Sequence, residues 1–114
     1  MLFDFEKLEV YRVIRQFMDF LQPVLQQKLP KNLHDQLDAS SESIFSNLAE
    51  GAGKFSKPDK RRSYEYARGS AMESAAQIEL LLIKGLITRQ QYAQARSLLL
   101  SIVRMLSRLA AGPR

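Results

Sequence analysis

SIFSNLAEGAGKFSKPDKRRSYEYARGSAME, residues 43–73, is the stretch whose reading decides the fold. Its first part continues a pattern in which Leu37, Ser41, Ile44, Leu48 and Gly51 recur at heptad-like spacing, as on one face of a helix. Gly51 and Gly53 mark the end of that helix. Ser56-Lys57-Pro58-Asp59 reads as a new start: serine as N-cap, proline in the first turn, and an acid three residues after the cap. From there Tyr64, Ala67, Ala71, Ser74, Ile78, Leu81 and Gly85 repeat strictly by three and four, a narrow seam of small residues that allows close helix approach. Two long helices therefore meet at a turn that carries Lys54, Lys57, Lys60, Arg61 and Arg62.

On the N-terminal side, Leu29-Pro30-Lys31-Asn32 reads as a break. Before it, from Asp4 to about Gln27, apolar residues fall on two adjacent stripes: Tyr11, Ile14, Met18, Leu21, Leu25 and Val10, Val13, Phe17, Phe20, Val24. One stripe suffices for a bundle seam, so the second either widens the core or packs on another subunit. Pro23 should kink or tighten the last turn. On the C-terminal side Gly85 closes the third helix, and Thr88-x-x-Gln91 is a capping box for a fourth. That helix has Tyr92, Ala95, Leu99, Ile102, Leu106 and Leu109 as its seam, and Gly112-Pro113 stops it. Helices at about residues 4–27, 32–53, 57–84 and 89–110, joined by short turns, predict an all-α, antiparallel up-down-up-down four-helix bundle, a single domain over residues 1–114. Its length would be roughly 30–40 Å.

With 114 residues and 46% of them apolar, the chain can bury one core and no more. It has no cysteine and a single histidine, His34, which excludes disulfides, thiol nucleophiles and zinc sites built on thiolates or several imidazoles. The N-terminus has acids where a signal peptide needs a basic segment and an apolar run. The longest wholly apolar run is Leu80 to Ile83, far short of the roughly 20 residues that cross a bilayer. A soluble, cytoplasmic protein with no membrane association is expected.

Enzymatic constellations fail on residue types. A di-iron bundle needs Glu-x-x-His on two helices, and the Arg-then-His spacing of small helical ribonucleases is absent around His34. Gly51-Ala52-Gly53-Lys54 follows a helix rather than a strand and lacks the spacing of a phosphate loop. Asp35, Asp38 and Glu42 lie within about 60° of one another on the second helix; a solvated face outweighs a cation site there. Two polar stripes flank the seams, Ser43, Asn47, Glu50 and Lys54 on the second helix and Tyr66, Ser70, Glu73 and Gln77 on the third. Half-buried polar groups are costly when unpaired, so these are expected to satisfy one another between helices or subunits. Glu50 or Glu73 as an acid or base would require both to converge on a cleft. No catalytic residue, metal ligand or cofactor is expected.

Charge is the better lead. The net charge is +5, and residues 54–68 and 69–114 each carry +4, against −3 over residues 30–53. Arg89, Arg96, Arg104 and Arg108 lie within about 120° on the fourth helix, opposite its seam, and no acid follows Glu79. With the lysines and arginines of the central turn, and Tyr64 and Tyr66 close by, they form a field that attracts phosphate backbones. An acidic protein partner is the alternative, and plain solubility the bland one.

Ser43-Ile44, Asn47-Leu48-Ala49-Glu50-Gly51, Ala67-Arg68-Gly69-Ser70-Ala71-x-Glu73, Gln77-Ile78-Glu79 and Gly85-Leu86-Ile87 resemble the bacterial four-helix-bundle family named for proteins encoded in 23S rRNA intervening sequences. The likeness spans about Leu8 to Leu106; Leu48 stands for a commoner isoleucine, and Ala71-Met72 for a bulkier pair. The resemblance implies a non-enzymatic homopentamer, similar to the accessory variability proteins of diversity-generating retroelements, which are basic barrels that bind a reverse transcriptase and nucleic acid. It further implies that Asn47, Glu50, Gly51, Gly69, Ser70 and Glu73 serve packing and inter-helix or inter-subunit bonding.

Overall fold

The computed structural model describes residues 1–112: a 3-10 turn at Asp4–Lys7, then α1 (Glu9–Leu25), α2 (Lys31–Gly53), α3 (Lys57–Ile83) and α4 (Arg89–Ala111). The boundaries sit where the side chains place them. Ser56 Oγ accepts the Asp59 N–H at 3.2 Å to open α3. At α4 the box is reciprocal, Thr88 Oγ1 accepting from Gln91 N at 3.0 Å and Gln91 Oε1 from Thr88 N at 2.9 Å. Gly85, at φ +71°, turns the chain out of α3 while Leu86 N–H reaches back to the Leu81 carbonyl at 2.9 Å. Gly112, at φ 76°, caps α4; Pro113, expected just beyond it, lies outside the described residues.

The expected first helix, residues 4–27, is two elements instead. Leu8 is extended (φ −84°, ψ 136°) and separates the 3-10 turn from α1. In one continuous helix Phe5 and Tyr11 would point about 120° apart. The break turns both rings onto Phe45 of α2, with centroids 5.8 and 6.1 Å from it.

Cross-helix contacts establish the directions. Between α2 and α3, Ser43 meets Ser70, Ser40 meets Ser74, and Gly51 abuts Ser63 and Tyr64, so one number falls as the other rises. Between α3 and α4, Arg68 bonds Ser107, while Ile78 shares a pocket with Arg96 and Leu99. Val10 lies with Met105 and Leu109, and Phe20 with Leu98, along the α1–α4 seam. All three pairs are antiparallel, which gives the up-down-up-down four-helix bundle expected, 43 Å in its longest dimension.

Its core is continuous. Ile14, Phe17 and Leu21 of α1, Leu37, Ile44 and Leu48 of α2, Ile78 and Leu81 of α3, and Leu99, Ile102 and Leu106 of α4 are fully buried. Both apolar stripes of α1 are used within the chain: Tyr11, Val13, Met18 and Phe20 pack, partly buried, against that core. The second stripe widens the core. Among the described residues no helix is long and apolar enough to cross a membrane.

Candidate nucleic-acid interface

The central turn places its five cations at one end of the bundle, but most of them are engaged. Lys54 pairs with Glu50 at 3.7 Å, Arg61 with Glu65 at 2.9 Å and Arg62 with Asp59 at 3.9 Å. These pairs are exposed and one helical turn apart, so each is weak in salt and its cation can exchange the carboxylate for another anion. Lys60 has a different task. Its Nζ donates to the carbonyls of Gly51 at 3.3 Å and Ala52 at 3.0 Å, capping the C-terminal end of α2 where the helix dipole favours a cation. Lys57 is exposed and forms no ion pair among the described residues.

The fourth-helix arginines behave differently. Arg89, Arg96, Arg104 and Arg108 are all exposed, and none forms an ion pair among the described residues. At 1.5 Å per residue the stripe runs about 28 Å. Arg89 therefore stands at the end away from the central turn, Arg96 stands midway beside Glu79 and Tyr92, and only Arg104 and Arg108 approach the turn. The two halves of the expected basic surface thus converge at one end rather than forming one patch.

Two neighbouring grooves mark that convergence. One, of about 490 Å³, has Leu8, Val10, Tyr64, Met105 and Leu109 as its apolar walls, with Lys60, Arg108 and Glu9 at its edge. The other, of about 370 Å³, adds Lys57, Pro58 and Arg61 around the same Tyr64 and Leu109. Tyr64 is 5% exposed, and burial pushes its phenol up from the ordinary value. Tyr66, two residues on, points outward instead and is 62% exposed.

Of the two polar stripes, only Ser43 and Ser70 bond to one another across the α2–α3 interface among the described residues. Ser43 Oγ and Ser70 Oγ are 2.8 Å apart, and Asn47 Nδ2 donates to the Ser43 carbonyl and hydroxyl at 2.9 and 3.0 Å. One turn along, Ser40 Oγ lies 2.8 Å from Ser74 Oγ and donates to Gln77 Oε1 at 2.7 Å. Gln77 in turn reaches Glu73 at 3.5 Å. Glu50 and Glu73 are exposed, Glu50 engaged by Lys54 just past the end of α2 and Glu73 by Gln77 on its own helix. Among the described residues no three acids or histidines cluster as a metal site.

Gly51 and Gly69 serve opposite ends. A Cβ on Gly51 would meet the Tyr64 ring and Ser63 within 2.9 Å, so the glycine lets α2 and α3 touch. Among the described residues, a Cβ on Gly69 would meet nothing within 4 Å.

Two features escape a reading by seam and charge. Phe55, at the tip of the basic turn, is 102% exposed. Tyr66, Gly69, Glu73, Ala76 and Ile83 are exposed on a second three-four register of α3, which passes through a half-buried Leu80 packed on the core and ends in an Ile83 that is 75% exposed. The second register was visible in the spacing; its glycine, alanine and glutamate disguised it.

No curated protein sequence matches the chain closely enough to count as a relative. Its residues 6–108 match the family described as 23S rRNA-intervening sequence protein, in keeping with the bundle and with the NLAEG and ARGSAME segments at its centre, and the chain belongs to that family.

Proposed function

We propose that the protein is a non-enzymatic, homo-oligomeric bundle of the bacterial cytoplasm that binds structured RNA or DNA through its basic surface, as accessory to a reverse transcriptase or another nucleic-acid enzyme. The observation that carries the binding reading is the α4 stripe, four exposed arginines without an ion pair among the described residues. Such charges are held ready for an anion, and a helix face about 28 Å long spans several phosphates of a duplex. The family name, with its reference to rRNA, agrees with a nucleic-acid setting. The test is fluorescence anisotropy of a labelled structured RNA and a matched DNA duplex across a salt series. Log affinity should fall steeply and linearly with log salt. Absence of binding at low salt would refute the reading.

Self-association is supported by α3. A glycine inside a helix costs about 1 kcal/mol relative to alanine, and nothing among the described residues needs the space at Gly69. With Tyr66, Ala76 and Ile83 exposed on the same face, a second copy laid along this seam accounts for both the glycine and the bare apolar side chains. The subunit number we propose is five, as the family resemblance implies.

The alternative, a scaffold that docks an acidic protein, is favoured by the α1–α4 groove, whose apolar walls and cationic edge suit an acidic amphipathic segment. A partner that stays bound after nuclease treatment would select it.

A further inference from the structure

Phe55 is the only residue of the α2–α3 connection with a large apolar side chain, and all of it lies in solvent. Its backbone is nonetheless fixed. Gly53 ends α2, the Ser56 cap opens α3 three residues later, and Pro58 stiffens the first turn. A flat ring is thus held out on a short, rigid tip with Lys54 and Lys57 on either side and the Arg104–Arg108 end of the α4 stripe at the same end of the bundle.

We infer that this tip is a stacking site for an unpaired nucleobase, Phe55 lying against the base while Lys54 and Lys57 take the flanking phosphates. The inference rests on the nucleic-acid reading above and sharpens it, because a base within a duplex has no free face to offer. Single-stranded segments are bound by this combination of an exposed aromatic and adjoining cations, which is tolerant of sequence because every base has a π-face. Charge argues against the same end of a second copy of this chain as the occupant. Residues 54–68 carry +4, and the grooves near the tip have cationic edges of the same sign.

The test compares a blunt RNA duplex with the same duplex carrying a short unpaired overhang that contains a fluorescent adenine analogue. The intact protein should bind the overhang duplex about tenfold more tightly, with a change in analogue emission. Phe55→Ala should abolish both the preference and the emission change while leaving affinity for the blunt duplex as it was. The chain has no tryptophan, so Phe55→Trp supplies a single emission signal that the overhang should quench. Equal affinity for the two duplexes, or a preference that survives Phe55→Ala, overturns the stacking site and leaves the phosphate reading standing. A loss of solution mass in Phe55→Ala overturns it in favour of a contact between copies. Failure of the intact protein to bind either duplex removes the nucleic-acid reading itself, and the stacking site with it.

Discussion

Gly51 lies so close beneath Tyr64 that a Cβ built on it would stand 2.8 Å from Cε1 of the ring and 2.9 Å from Cβ of Ser63. The ring is buried and Ser63 Cβ is tied to the backbone, so neither can retreat cheaply. Gly51→Ala should therefore destabilise the bundle by about 1–2 kcal/mol: contacts below 3.0 Å fall in the upper part of the overpacking range, about 2–3 kcal/mol, against about 1 kcal/mol gained in helix propensity. Urea unfolding at fixed protein concentration measures it, and an unchanged midpoint would show that the contact is slack.

Ser74 and Ser40 form a relay into Gln77. With the single Ser40 proton on Gln77 Oε1 at 2.7 Å, the shorter of its two acceptor contacts, the Leu37 carbonyl being 3.2 Å away, Ser74 is left to donate to Ser40 at 2.8 Å. Ser40→Ala strands a hydroxyl that is wholly buried and should cost about 1–3 kcal/mol. The double change Ser40→Ala with Ser74→Ala removes both groups and should cost less than the sum of the single changes. A double-mutant cycle in urea reads the coupling, and strict additivity would deny the relay.

Tyr64 makes stability depend on alkaline pH. Burial raises its folded-state pKa above the unfolded value of about 10. The stabilisation from keeping the phenol neutral is complete below the unfolded pKa and is lost as pH rises from there through the folded pKa, because the unfolded chain then binds fewer protons. Tyr64→Phe should match the native protein near neutrality and exceed it in melting temperature at alkaline pH. Parallel melting curves over that window would contradict the assignment.

Arg96 and Arg104 are exposed and unpaired among the described residues, so their reversal should not disturb folding. The Arg96→Glu, Arg104→Glu protein should keep its helical circular dichroism, bind nucleic acid more weakly and lose roughly 2 from the magnitude of its salt slope. The same slope as the native protein would take the stripe out of the interface.

Ala76 sits at the middle of the outward α3 register and is exposed. Ala76→Arg should change stability of the single chain by no more than about 0.5 kcal/mol and should reduce the solution mass to one chain by light scattering. A native protein that already scatters as one chain would refute self-association outright.

Much of the bundle was legible because its seams are periodic. Leu37, Ser41, Ile44, Leu48 and Gly51 on α2, and Tyr64 through Leu81 on α3, are buried as their spacing indicates, and Ser56 and Thr88 cap as their neighbours suggest. What the spacing does not carry is partnership across a turn. Lys60 reads as one more surface cation, yet its ammonium caps carbonyls eight and nine residues earlier. The break at Leu8 lets Phe5 and Tyr11 meet each other at 5.5 Å and both meet Phe45, far along the chain, a partner that local spacing does not indicate. The breadth of α1 was plain, but whether it faced its own core or another subunit depended on how α2 and α4 splay around it.

The two serine pairs between α2 and α3 also act as a gauge of alignment. Ser40 and Ser43 are three residues apart on one helix, while their partners Ser74 and Ser70 are four apart on the other. If α2 slid by one turn so that Ser40 faced Ser70, Ser74 would be left opposite Leu37 and Ser43 opposite Ala67, two hydroxyls stranded against apolar side chains. Small residues on α3 would tolerate several alignments by shape alone. The serines admit one, and thereby fix where the Lys57 tip stands relative to everything below it.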